Sequence, residues 1–64
     1  MKKLSIRAAR NDAQLTQEQS AKALGISRNT YASYENGNTK PTLEMASNIA
    51  SLFGRGLDEI RFNQ

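Results

Sequence analysis

Residues 16–37 read TQEQSAKALGISRNTYASYENG, two helix signals separated by one glycine-containing turn. Thr16 followed three residues later by Gln19 is the capping-box pattern that opens a helix, so a helix is predicted over 17–24. Gly25 supplies the left-handed residue that closes it. Ile26 then fills space between helices and Ser27 caps a second helix over about Arg28 to Glu35, which stops at Asn36-Gly37. A turn of only three or four residues is too short to lay the two helices antiparallel in full contact, so they cross steeply.

Residues 16–36 thus read as a helix-turn-helix unit, and the flanks read as further helices. Upstream, a helix from about Ser5 to Asp12 turns Leu4, Ala8 or Ala9, and Leu15 inward. Downstream, Pro41 with Thr42 as cap opens a helix in which Leu43, Ala46, Ile49, Ala50 and Phe53 recur at helical spacing. Gly54 closes it, and a last turn from Leu57 to Ile60 returns both of those residues to the core. β-branched residues never form a run of strand length, so the chain reads as all-α. One strand contact is open to it: the tail RFNQ against the MKKL start.

The chain has 64 residues, enough for one domain over 1–64 and in the size range where a domain alone is marginally stable. It contains no cysteine and no histidine, which removes disulfides, thiolate metal sites and the commonest general base. The six carboxylates, Asp12, Glu18, Glu35, Glu44, Asp58 and Glu59, form no evident pair in a shared pocket, so an enzyme is not expected. No cofactor, metal or small-molecule ligand is expected either. No segment approaches the roughly 20 apolar residues of a membrane span, and the start lacks the apolar run of a signal peptide, so a cytoplasmic location is expected. The net charge of +3 is uneven: residues 1–40 carry seven Lys or Arg against three acids, residues 41–64 two against three. A basic half suits a polyanion.

The helix over 28–35 carries the functional signal. At about 100° per residue, Arg28, Ala32, Asn29 and Ser33 fall on one side, and Thr30, Tyr34 and Tyr31 on the other. Exposed Arg, Asn and Ser are the hydrogen-bonding types that match base edges, and short Ala32 permits close approach. A face that is merely solvated usually carries Glu and Lys pairs instead. A capped helix N-terminus also turns the positive end of its dipole toward phosphate.

These residues resemble a known family: the small helix-turn-helix DNA-binding domains of the phage repressor and Cro type, also called the xenobiotic-response-element type. The resemblance rests on Arg10, LTQ at 15–17, Ala21, LGIS at 24–27, YENG at 34–37, Pro41 and LDEI at 57–60. It covers residues 4 to about 60 and implies a compact five-helix, lambda-repressor-like domain. By the same resemblance, Ser27, Arg28, Asn29 and Ser33 contact bases in the major groove. Gln17, Asn36, Gly37, Thr39 and Lys40 hold the phosphate backbone, which positions the domain without reading sequence. Arg10 and Glu35 form a partly buried structural ion pair, and Tyr31 and Tyr34 are core residues. Lys2, Lys3 and Arg7 are surface cations, near phosphate or simply solvated.

The sequence departs from the family pattern at Ser20, where leucine is usual, at Gln14, often glycine, and at Arg55-Gly56. Loss of a leucine at position 20 removes apolar burial of about 1.5–3 kcal/mol, and a dimer partner is one way to recover it. Leu52, Ile60 and Phe62 are expected at a dimer interface on the 43–62 side. The implied function is a sequence-specific transcriptional regulator, a repressor, binding double-stranded DNA as a homodimer on a palindromic operator. The alternative is an antitoxin- or antirepressor-like module that uses the same fold to hold a protein partner.

Overall fold

The computed structural model describes residues 3–62. In chain order it contains strand β1 (Leu4–Ser5), helices α1 (Ile6–Asp12), α2 (Gln17–Leu24), α3 (Arg28–Asn36) and α4 (Leu43–Leu52), a 3-10 turn over Leu57–Glu59, and strand β2 (Ile60–Arg61).

Each α-helix opens on a hydroxyl. Ser5, Thr16, Ser27 and Thr42 accept hydrogen bonds from the backbone N–H groups of Ala8, Gln19, Thr30 and Met45, at 3.0 to 3.1 Å. In α2 the Gln19 side chain also accepts from the Thr16 N–H at 2.9 Å, completing the capping box. Each helix also closes alike. The residue after a left-handed position donates back five residues: Leu15 to Arg10, Ile26 to Ala21, Asn38 to Ser33 and Arg55 to Ala50. The left-handed residue is Gly25, Gly37 or Gly54 in three cases and Gln14, with φ 61°, in the fourth.

The core consists of Ile6, Ala9, Ala21, Tyr31, Ile49, Ala50, Phe53 and Ile60, with Leu15, Ile26, Tyr34, Leu52 and Phe62 among the half-buried residues packed around it. α2 packs on both α3 and α4, and α1 on α3. Of the residues expected inward from α1, Ala9 is fully buried and Leu4 and Leu15 pack half-buried against the core, and Ile6, the first residue of the helix, is fully buried with them.

Several expectations need correction. The fold is mainly helical, but four α-helices are found among the described residues, not five. The fifth position is only a 3-10 turn, held by the Gly56 N–H donating to the Glu59 side chain at 2.7 Å, too short to build an α-helix between Gly56 and the strand. The chain ends do pair, in parallel, but not as RFNQ against MKKL: Leu4 lies opposite Ile60 and Ser5 opposite Arg61, one residue inward of that expectation at each end. Met1, Lys2, Asn63 and Gln64 lie outside the described residues.

Leu43 and Leu57 were expected inward and are 77% and 41% exposed. Leu43 is at the very start of α4, where the buried stripe of that helix has run past the core, and after Leu57 it is strand β2 that turns only Ile60 inward. Ile60 was expected at a dimer face; at 1% exposure it is a core residue of the monomer and has no surface to offer a partner.

Two departures from the family pattern acquire a physical account. Arg55 pairs with Asp12, tying the segment after α4 to the end of α1. Ser20 is fully buried, and its hydroxyl has no hydrogen-bond partner among the described residues.

Candidate nucleic-acid interface

Helix α3 is held from one side and open on the other. The held side carries Tyr31, fully buried, and Glu35, also buried. The Glu35 carboxylate collects donors from two other helices. Arg10 Nε in α1 donates at 2.6 Å, Gln17 Nε2 at the start of α2 at 2.9 Å, and Arg7 Nε in α1 at a long 3.5 Å. Arg10 donates a further bond through Nη1 to the Leu15 carbonyl at 2.9 Å, so its guanidinium also fastens the turn between α1 and α2.

The electrostatics follow from this geometry. Burial pushes the Glu35 carboxyl up, but hydrogen bonds from Arg10 and then Gln17 outweigh it and hold the group below the ordinary carboxylate range. The bond to Glu35 pushes Arg10 up in turn. The Tyr31 phenol is pushed up, first by burial and then by the neighbouring Glu35 carboxylate. Its hydroxyl lies near Glu35 and Ser20 yet reaches hydrogen-bond geometry with neither.

The open side of α3 carries Arg28 and Asn29, both exposed and without side-chain hydrogen bonds among the described residues. Ser27 and Ser33 share this side but are already engaged. The Ser27 hydroxyl donates to Thr30 Oγ1 at 2.8 Å besides its capping role, and Ser33 donates to the Thr30 carbonyl at 2.6 Å. Each keeps only acceptor capacity to spare.

Gln17 faces the same region, lining an open depression with Arg10, Thr16 and Arg28. One of its amide donors is committed to Glu35. Asn36, the last residue of α3, and Gly37, Thr39 and Lys40 just beyond it are all exposed. Leu52 and Phe62 belong to other parts of the surface, half-buried against the core.

Sequence reasoning missed that Arg7 and Gln17 both converge on Glu35. The spacing of Arg7 and Arg10 on one helix carried a signal, because residues three apart share a face.

Comparison with known proteins agrees with this architecture. The helix-turn-helix family model matches residues 6–60. The chain belongs to the helix-turn-helix family of the phage repressor and Cro type. A transcriptional repressor, RstR, of the cryptic phage CTXphi in Vibrio cholerae is 36% identical over 55 residues, which cover 86% of this chain and 50% of the repressor. An HTH-type transcriptional regulator of Methanocaldococcus jannaschii is 46% identical over 46 residues, covering 72% of this chain and 70% of that protein. AnsR, an HTH-type transcriptional regulator of Bacillus subtilis, is 45% identical over 40 residues, covering 62% of this chain and 34% of AnsR. The chain therefore spans half the length of RstR and about a third of AnsR. No solved structure matches it significantly.

Proposed function

We propose that this helix-turn-helix protein is a sequence-specific DNA-binding transcriptional regulator, acting as a repressor and holding a palindromic operator as a homodimer. One observation carries the reading. α3 is anchored through Tyr31 and Glu35 while Arg28 and Asn29, residue types suited to guanine and adenine, stand exposed and unengaged on its open side. In this reading Arg28 and Asn29 are the principal base contacts, and Ser27 and Ser33 contribute as acceptors. The Gln17 side chain and the run Asn36, Gly37, Thr39 and Lys40 contact phosphates on either side of α3.

The regulators to which the chain is similar support this reading over an enzymatic one. The dimer surface is drawn around Leu52 and Phe62, without Ile60. Selection of bound duplexes from a random pool is the test. A twofold-symmetric site is expected from the wild type, and Arg28→Ala should lose preference at one base pair of each half-site. If Arg28→Ala selected the same sequence with the same stringency, α3 would not be the reading element.

A second reading rests on the exposed Leu43 and Leu57: a module that holds another protein. Light scattering after size exclusion separates the two. A stable monomer without affinity for any duplex would favour the protein-binding module.

A further inference from the structure

The cluster around Glu35 is not balanced in charge. Two guanidiniums, Arg7 and Arg10, meet a single carboxylate. They do not serve it alike. The Arg10 side chain is 13% exposed and donates both to Glu35 and to the Leu15 carbonyl. The Arg7 side chain is 59% exposed and reaches Glu35 through Nε alone, at 3.5 Å. Its terminal nitrogens have no hydrogen bond among the described residues, and together they carry four N–H donors.

Arg7 is also placed, not merely present. It shares one carboxylate oxygen, Glu35 Oε1, with the Gln17 amide, and Glu35 immediately precedes the exposed run that begins at Asn36. The guanidinium therefore lies beside Glu35 near the start of α2 and the end of α3, with Nε toward the carboxylate at 3.5 Å and its terminal nitrogens open.

We propose that Arg7 is a phosphate ligand for double-stranded DNA, oriented by Glu35, and that a backbone phosphate completes the charge balance of the Arg7–Glu35–Arg10 cluster. The assignment rests on the DNA-binding reading above and adds a contact to it. A guanidinium edge matches two phosphate oxygens, which a lysine ammonium cannot do in the same fixed geometry. Because the contact is to the backbone, it strengthens every sequence alike.

The test is affinity for a selected operator duplex and a scrambled duplex, measured from about 0.05 to 0.2 M salt, for the wild type, Arg7→Ala and Arg7→Lys. Arg7→Ala should weaken both duplexes roughly fivefold near 0.15 M salt and make the logarithmic salt slope shallower by about 0.9. The ratio between the two duplexes should not move, and Arg7→Lys should recover the slope. Thermal unfolding of each variant checks that the fold survives. Should Arg7→Ala fail to fold, side-chain NMR of the wild type decides: the Arg7 guanidinium resonances should shift on adding duplex.

Unchanged affinity and slope in a folded Arg7→Ala, or Arg7 resonances that ignore the duplex, would overturn the assignment while leaving the DNA-binding reading in place, provided the wild type still prefers its operator. A change in the operator-to-scramble ratio would overturn it too, since Arg7 would then be acting through base reading. A wild type that binds neither duplex overturns both.

Discussion

Gln14 holds a backbone conformation, φ 61°, that glycine fills at the ends of the other three α-helices. A left-handed non-glycine residue costs about 1–2 kcal/mol, and glycine loses part of that advantage through its larger unfolded-state entropy, about 0.5–1 kcal/mol. Gln14→Gly should therefore stabilise the protein by up to about 1 kcal/mol, read as a higher urea midpoint with an unchanged slope. A lower midpoint would mean that the Gln14 side chain contributes more than its backbone costs.

Ser20 is a second residue-scale anomaly: a buried hydroxyl without a partner, beside a Tyr31 hydroxyl in the same condition. Ser20→Ala removes an unsatisfied group and should raise stability by about 1 kcal/mol. At the proposed interface, Asn29→Ala should cost about 1–3 kcal/mol of discrimination at one base pair. Lys40→Ala should instead weaken all sequences alike and lower the salt slope by about 1. Single residues of this kind were only partly legible in the sequence. Gln14 and Ser20 stood out as departures, but a propensity pattern cannot tell whether a buried hydroxyl finds a partner or a side chain tolerates a left-handed turn.

Among the elements, α3 has the most to lose from a single substitution, because α1 and α2 both anchor it through one carboxylate. Removing Arg10 would leave Glu35 buried with its strongest donor gone, a loss of about 3–5 kcal/mol, so Arg10→Ala should be close to unfolded at room temperature. The same pair sets the acid response. Glu35 binds its proton less readily in the folded protein than in the unfolded chain, where the value is about 4.3. Its stabilising contribution is thus complete above that value and is lost as pH falls through the lower folded one. Denaturant midpoints measured downward from neutral pH should fall in the acid range, and Glu35→Gln should flatten that part of the curve. A midpoint that fell equally in Glu35→Gln would assign the acid sensitivity to other carboxylates.

The elements themselves were well marked in the sequence because their ends are chemical. Thr16, Ser27 and Thr42 announce starts, and Gly25 and Gly37 announce stops. Ser5 is the cap of α1 and not its first helical residue, a difference of one position that the sequence pattern does not resolve. The α1 stop at Gln14 carries no glycine to announce it. The parallel pair of β1 and β2 was hard to specify because two residues of strand leave no alternating pattern. Its register depends on Ile60 reaching the core from the far end of the chain. The Glu35 cluster was half visible: one ion pair followed from the family pattern, whereas the convergence of Arg7 and Gln17 needs three helices in place.

At the scale of the whole molecule, a domain this small buries a limited core, and Ser20 and Ala-rich packing make it smaller still. Pairing of two copies through the proposed surface around Leu52 and Phe62 would add apolar burial. The expected operator then has half-sites about 34 Å apart, one helical turn. The exposed Leu43 and Leu57 are the surface on which the protein-binding reading rests.

Sequence reading by α3 is tested by the affinity of the wild type for its selected duplex and for a scrambled one at several salt concentrations. We predict at least about a thousandfold preference for the selected duplex at physiological salt, with both duplexes weakening as salt rises. Equal, weak binding of the two with a common salt slope would contradict the claim and leave the basic half of the chain as a non-specific electrostatic surface.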